Sequence, residues 1–422
     1  MKNVPKIRFK GFCDEWEEKK LGELLDFYST NSYSRDCLNY GNGSVMNIHY
    51  GDIHMIFPTI LDINKFKIPY LNDNIDISKF SDESYCKDGD IVIADASEDY
   101  DDIGKAIEVI GIGNKKVVAG LHTILARDNQ GVTSKGFKGY IMLNYPIRKQ
   151  IKILAAGAKV LGISKTNLQK VIVKLPSLQE QQRISTFLIK VDKLIEKQNE
   201  KVDNLEKYKK GMMKKIFSQE VRFKKDDRGE YPEWEKKHLG SFVDRIVRKN
   251  NSNISNRPLT ISAQYGLVDQ EEFFNKVVAS SNLEGYYLLN KGEFAYNKSY
   301  SNGYPFGAIK RLERYEKGAV STLYICFMPK NNIDSNYLVQ YFESTMWHKE
   351  ISMIAVEGAR NHGLLNISVN DFFDTIHKVP CLEEQQKIAS FLSNIDKIIE
   401  KEKEKLEMLR KWKKGLLQQM FV

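Results

Sequence analysis

The chain carries ten prolines, yet no two of them are adjacent. That excludes the Asn/Asp-Pro-Pro-aromatic loop with which an adenine methyltransferase holds a flipped base. Two stretches, Gly157 to Ser164 (GAKVLGIS) and Gly358 to Leu365 (GARNHGLL), have the glycine spacing of a phosphate-cradling loop but lack its lysine, so no nucleotide site is expected. Five cysteines (Cys13, Cys37, Cys86, Cys326, Cys381) are scattered and never spaced C-x-x-C, which argues against both a disulfide framework and a zinc site. The seven histidines form no H-E-x-x-H and no close Ser/His/Asp arrangement. In the acidic run Asp95 to Asp102, Tyr100 stands where a calcium loop needs its turn glycine and Ala106 where it needs its bidentate glutamate, so a solvated loop is expected. No apolar run reaches the roughly 20 residues of a membrane span, and the segment MKNVPKIRFKGF lacks the apolar core of a signal peptide. These absences point to reduced thiols, a cytoplasmic location, no membrane and no catalytic centre. An excess of 64 Lys and Arg over 55 Asp and Glu gives a net charge of +9, compatible with a polyanion partner.

What the chain does contain is one long helical pattern, twice. Pro176 to Phe217 and Pro380 to Phe421 align without a gap, and 21 of the 42 positions are identical. In the first copy Ile184, Leu188, Val191, Ile195, Gln198, Val202, Leu205, Lys209, Met212 and Ile216 recur at alternating spacings of four and three. In the second the series is Ile388, Leu392, Ile395, Ile399, Glu402, Leu406, Leu409, Lys413, Leu416 and Met420. That period is the coiled-coil signature, and each helix needs a partner. The polar pairs Gln198/Glu402 and Lys209/Lys413 fall at matching heptad positions, either at the edge of the seam or as selectors of register. Ser177 with Glu180 fits a capping box behind Pro176, whereas Cys381 weakens the second cap. Gly211 and Gly415, unfavourable inside a helix, are expected to permit close approach. About 41 residues at 1.5 Å rise give a rod of roughly 60 Å.

A shorter segment is also repeated. Trp16-Glu-Glu-Lys-Lys-Leu21-Gly22 matches Trp234-Glu-Lys-Lys-His-Leu239-Gly240, with Arg8-Phe9 and Arg222-Phe223 ahead of them. The order is nearly circular, as expected of halves related by a pseudo-twofold axis with antiparallel helices. The expected organisation is a leading segment (1–21), a first domain (22–175), a central helix (176–217), a linker with the repeated leading segment (218–239), a second domain (240–379) and a C-terminal helix (380–422). The domains share only a faint skeleton: Gly89-Asp-Ile-Val-Ile-Ala94 resembles Gly292-Glu-Phe-Ala-Tyr-Asn297, and Gly157-Ala-Lys159 resembles Gly358-Ala-Arg360. Short β-rich runs between turn residues, with stretches such as Tyr337 to Ile354 reading as helix, predict α+β globules. A kept scaffold with changed surfaces suggests two domains that bind two different things.

The two variable domains, each followed by a Glu-Gln-Gln-x-Ile helix (Leu178 to Ile184 and Leu382 to Ile388), together with the Trp-x-x-x-x-Leu-Gly segments, resemble the specificity subunit of type I restriction-modification systems. The likeness covers essentially the whole chain; only the second proline of the helix-leading motif is missing, replaced by Ser177 and Cys381. The resemblance implies a non-catalytic subunit whose two target recognition domains each read one half of a bipartite, asymmetric sequence in double-stranded DNA. It implies two adenine-N6 methyltransferase subunits as partners and, in the full complex, two restriction (translocase-nuclease) subunits. S-adenosylmethionine, ATP and Mg would sit on those partners, and none on this chain. The rival reading is a structural coiled-coil adaptor with two protein-binding globules; a stand-alone nuclease or methylase is disfavoured by the missing loops.

Base edges are read by Arg, Lys, Asn and Gln, while other basic groups hold phosphates. The expected DNA contacts begin with the glycine-basic loops: Lys159, Ser164 and Lys165 in the first domain, Arg360, Asn361 and His362 in the second. Next is the polar-aromatic loop with Asn297, Lys298, Tyr300, Asn302 and Tyr304, whose first-domain equivalent starts at Asp95, where a carboxylate can accept from cytosine N4. Arg257, Gln264, Tyr265, Lys310, Arg311 and Arg314, and in the first domain Lys115, Lys116 and Arg127, complete the set by residue type. The lysines at 207, 209, 210, 214 and 215 read foremost as a solvated coiled-coil flank.

Overall fold

The computed structural model describes residues 4–274, 282–300, 303–355 and 365–422. It divides into two compact units: residues 1–199 with 404–422, and residues 200–403. The mixed α and β content matches the expected class. The heptad segments form uninterrupted helices, Leu178–Phe217 and Leu382–Met420. Each unit takes one half of each helix.

Both units close on themselves in the same way. In the first, Glu17–Lys20 pairs antiparallel with Ile172–Leu175, the strand that leads into the first long helix. In the second, Glu235–His238 pairs with Ile376–Val379, which leads into the second long helix. The repeated Trp-x-x-x-x-Leu-Gly segment is therefore a strand that buttons each domain to the root of its helix. The Glu-Gln of the helix motif completes the joint. Arg8 donates two hydrogen bonds of 2.7 Å to the buried carboxylate of Glu180. Arg222 does the same to Glu384 at 3.2 and 2.9 Å. The next residue ties down the domain: Gln181 accepts from the Ser134 amide and donates to the Pro176 carbonyl, while Gln385 accepts from the Asp334 amide and donates to Pro380. The expected capping box is therefore only half formed. Ser177 accepts from the Glu180 amide at 3.4 Å, but the Glu180 side chain turns to Arg8 instead of back to its cap, because a buried carboxylate needs a cation more than a neutral amide.

Within each unit the helix halves run antiparallel and their apolar seam joins the domain core. In the first unit Ile184, Leu188 and Val191 share a core with Trp16, Phe137, Tyr140, Leu416, Met420 and Phe421. In the second, Met213, Ile216 and Phe217 pack with Trp234, Tyr337, Tyr341, Ile388, Leu392, Ile395 and Ile399. Every expected seam residue is buried or half-buried: Ile195, Leu205 and Leu409 are half-buried, whereas Val202 and Leu406 are buried. Each fully buried side chain contributes about 1.5 to 3 kcal/mol by burial. One polar tie recurs in both units. Asp192 accepts from the Tyr140 hydroxyl at 2.7 Å and meets Lys413 at 2.5 Å, while Asp396 accepts from Gln340 at 2.8 Å and from Lys209 at 2.6 Å. The matching heptad lysines thus pair across the seam with aspartates of the facing helix. Gly211 and Gly415 do not mark a close approach: a Cβ at Gly211 would meet no described atom within 4 Å, and one at Gly415 only the far end of Gln419.

Each domain has its own sheet, and the two sheets are alike in strand order. In the first unit the strand order is Asp26–Tyr28, Thr123–Arg127, Ile91–Ala94, Ala106–Ile110, Ile60–Asp62, antiparallel except for the last pair. In the second it is Val243–Ile246, Ile325–Pro329, Phe294–Asn297, Ala308–Arg311, all antiparallel. The two sequence-matched strands, Ile91–Ala94 and Phe294–Asn297, hold the same place. Beside the sheet, Val45–Ile48 runs parallel to Lys116–Ala119 in the first unit, and Leu259–Ser262 forms a hairpin with Gly266–Asp269 in the second.

Candidate nucleic-acid interface

The ends of those matched strands locate the candidate surface. Where Phe294–Asn297 ends, the chain turns through a polar loop and re-enters the sheet as Ala308–Arg311. Gly307 lies in the left-handed region at φ 74°, and an added Cβ would come within 2.1 Å of the Asn297 carbonyl, so no other residue fits this turn. Asn297 accepts from the Ser299 amide, and the Tyr304 hydroxyl donates to the Ala263 carbonyl at 3.2 Å, pulling the hairpin tip over the loop. Burial raises the Tyr304 phenol pKa, which keeps it a neutral donor. Gln264, Asn297, Tyr300 and Tyr304 line one open hollow. A second is lined by Gln264, Tyr265, Tyr304 and Lys310 together with Lys209 and Lys403 of the helices. Tyr300 is 61% exposed and Tyr265 57%, large rings left in solvent beside amides.

Other expected contacts in this unit are otherwise engaged. Lys298 turns inward to the Ile367 carbonyl at 3.1 Å, and burial lowers its pKa. Lys310 is paired with Glu343 and lies 6.0 Å from the Tyr304 ring. Arg311 is held by Glu313, Ser335 and Asn336. Arg257 stacks on Tyr315 at 4.0 Å and faces Asp269 at 3.5 Å. Arg314 is exposed on the turn after Ala308–Arg311. Asn302, Arg360, Asn361 and His362 lie outside the described residues.

The first unit presents a related edge with different chemistry. The helix Tyr145–Leu154 ends before Gly157, so the glycine does not cap it; Ala156 and Gly162 close a tight loop by two backbone hydrogen bonds of 3.0 and 2.8 Å, with Lys159 exposed near its tip. Leu161–Gly162 pairs with Ala96–Ser97, and the Ile163 amide donates to the Asp95 carbonyl. The glycine loop and the acidic loop, separate expectations in the sequence, are thus brought together. Ser164 is the N-cap of Lys165–Gln169, accepting from the Asn167 amide, and Lys165 reaches Ser29 at 3.2 Å.

Arg127 is a correction. It is buried, forms a 2.8 Å ion pair with Asp90, donates to the Tyr85 carbonyl and lies over Tyr28 at 4.8 Å, a core structural role that leaves nothing for a phosphate. Lys115 is exposed and bonds Asn64, and Lys116 lies 5.6 Å from the Tyr85 ring. Both sit where Lys116–Ala119 begins, at the end of the strand away from the loops.

Three of the seven histidines gather where the sequence showed only scatter. His49 and Tyr50 end the strand Val45–Ile48, with ring centroids 4.7 Å apart; His54 and His122 approach Tyr50 edge-on at 6.1 and 5.3 Å. His49 accepts from the Gly51 amide and burial lowers its pKa, while His54 contacts the Ala96 carbonyl. No group of three or more His, Cys, Asp or Glu suited to a metal occurs among the described residues. No described helix is long and apolar enough to cross a membrane.

Comparison with known proteins agrees with this duplicated architecture. The sequence profile of the type I restriction modification DNA specificity domain matches twice, over residues 13–207 and 214–410. The chain is 28% identical over 57% of its length to a putative type I restriction enzyme MjaX specificity subunit of Methanocaldococcus jannaschii, and spans 55% of that relative. It is 27% identical over 76% of its length to the MjaVIII specificity subunit of the same organism, spanning 83% of it. The fold resembles the type I restriction-modification S subunit of M. genitalium, with 13% identity, 99% coverage of both chains and a TM-score of 0.55. A chain solved in work on complex assembly and conformational transition of the type I system gives the same score at 13% identity, over 97% of this chain and 98% of that one. The chain belongs to the type I restriction modification DNA specificity family, with two copies of its domain.

Proposed function

We propose that each unit reads one half of a bipartite, asymmetric target in double-stranded DNA, and that the paired helices set the unread gap between the halves. The observation that carries this reading is the contrast between frame and edge. The Arg–Glu, Gln and Asp–Lys ties recur residue for residue, while the loops at the ends of the matched strands differ: amides and tyrosines in one unit, a carboxylate and histidines in the other. A frame whose ties recur under two unlike polar edges suits two half-sites of different sequence.

In this reading the chain works in the cytoplasm and docks two adenine-N6 methyltransferase subunits, joined in the full complex by two restriction subunits. S-adenosylmethionine, ATP and Mg belong to those partners. The exposed lysines of the helices serve as solvated flank and docking surface.

The test is a map of adenine methylation in cells with and without this gene. A split motif that disappears with the gene is the expected result, and no gene-dependent motif would sink the reading. Adding one heptad to both helices lengthens them by about 10 Å and should widen the gap by some three base pairs. The adaptor alternative predicts binding insensitive to salt, whereas phosphate contacts make affinity fall steeply with ionic strength.

A further inference from the structure

We infer that Asp95, His122 and Tyr50 form the base-reading edge of the first unit, and that this edge recognises a base presenting an exocyclic amino group, cytosine N4 or adenine N6. The inference rests on the half-site reading above and assigns its first-unit residues.

Topology makes the first argument. In the second unit the hollow lined by amides and tyrosines is built where Leu259–Ser262 and Phe294–Asn297 end. The corresponding ends in the first unit are those of Val45–Ile48 and Ile91–Ala94. What stands there is Tyr50 and Asp95, with His122 supplied by the turn between Lys116–Ala119 and Thr123–Arg127. The positively charged residues selected by type, Lys115, Lys116 and Arg127, are at the opposite strand ends.

Backbone geometry makes the second. His122 has φ 52°, in the left-handed region where a residue with a Cβ crowds its own carbonyl. The conformation is fixed by a hydrogen bond from the Asp95 amide to the His122 carbonyl at 3.1 Å. That bond sets the two side chains side by side, with Asp95 Oδ1 3.5 Å from His122 Nδ1. The turn thus uses a strained histidine where glycine would relieve the strain. Strain retained in this way marks a side chain kept for what it does.

Availability is the third. His122 is half exposed and the Asp95 carboxylate about a third exposed, and their mutual contact is too long to saturate the carboxylate's acceptor sites. The neighbouring rings of His49 and His54 are turned to the Gly51 amide and the Ala96 carbonyl, so they support Tyr50 from behind. An ionised carboxylate offers only acceptors, and among base edges in the major groove acceptor-only recognition selects an amino group.

The experiment co-expresses the full chain with its modification subunit in a host lacking adenine methylation and reads the methylated motif by sequencing. Asp95→Asn should lower discrimination at one base pair of one half-site by roughly tenfold to a hundredfold and leave the other half-site intact. His122→Gly removes the imidazole while relieving the strain, so it should raise the melting temperature and still relax the same half-site. Lys116→Ala, at the far strand end, should leave the motif unchanged. If the wild type gives a split motif and neither Asp95→Asn nor His122→Gly alters either half, or both halves relax together, the assignment is overturned while the half-site reading stands. If the wild type gives no motif, both fall.

Discussion

In the second unit the buried carboxylate of Glu384 receives Arg222 and, at 3.0 Å, the indole N–H of Trp234. In the first, Glu180 receives Arg8, and the equally buried indole N–H of Trp16 has no hydrogen-bond partner among the described residues. Trp16 instead meets the edge of Phe421 at 6.2 Å. The same repeated motif therefore does two jobs: in one unit the tryptophan is part of a polar joint, in the other it is only core. What was kept through the duplication is the charge pair, and the surrounding packing drifted. The unlike loops show the same freedom carried further.

This comparison can be broken at its strongest point first. Arg8→Ala leaves Glu180 buried without its cation, which should cost about 3 to 5 kcal/mol, whereas Arg222→Ala leaves Glu384 with the Trp234 donor and should cost less. Hydrogen exchange followed separately in peptides of each unit would show it; equal losses would contradict the difference. Acid should then part the units. His377, buried between the Tyr341 hydroxyl and Thr375, has its pKa lowered to about 4 by desolvation, and Val173 stands at the matching place in the first unit. The unfolded imidazole titrates near 6.5, so the unfolded state takes up the proton more readily. Stability of the second unit is full above about pH 6.5 and declines as pH falls towards 4, by an amount on the order of 3 kcal/mol. His377→Val should flatten that profile in urea titrations at pH 7 and pH 4.5.

Smaller effects sharpen the contrast. Trp234→Phe should cost about 1.5 to 3 kcal/mol by removing a hydrogen bond to a charged group, beyond any packing loss, and Trp16→Phe should lack that component. Cys381→Ser should give the second helix the cap that Ser177 gives the first, a gain of at most about 1 kcal/mol in its melting, since the Ser177 bond it would copy is a long 3.4 Å.

Much of the frame was legible because it is periodic or repeated. The heptads, the leading segment and the matched strands all announce themselves by spacing, but spacing leaves Lys209 and Lys413 either at the seam's edge or as register selectors and does not mark their partners Asp396 and Asp192. The edge was legible only in part. Gln264, Tyr265, Asn297, Tyr300 and Tyr304 converge, since one hairpin and one loop supply them all. Arg127 and Lys116 stand out by charge, and charge does not tell which end of a strand a residue occupies; the end residues of a four-residue strand lie about 10 Å apart. Of the histidine cluster only Asp95 left a signal, because His49, Tyr50, Asp95 and His122 come from separate stretches of chain and meet only when two sheets are assembled.

The turns of the second helix that carry Leu416, Met420 and Phe421 complete the core of the first unit, some two hundred residues after the rest of it has been made. Residues 200–403 form a continuous stretch, so during translation the later-starting unit has all its parts first. The earlier one keeps an open core until residues 404–422 are also available, so a substitution in that late stretch falls on the unit encoded first.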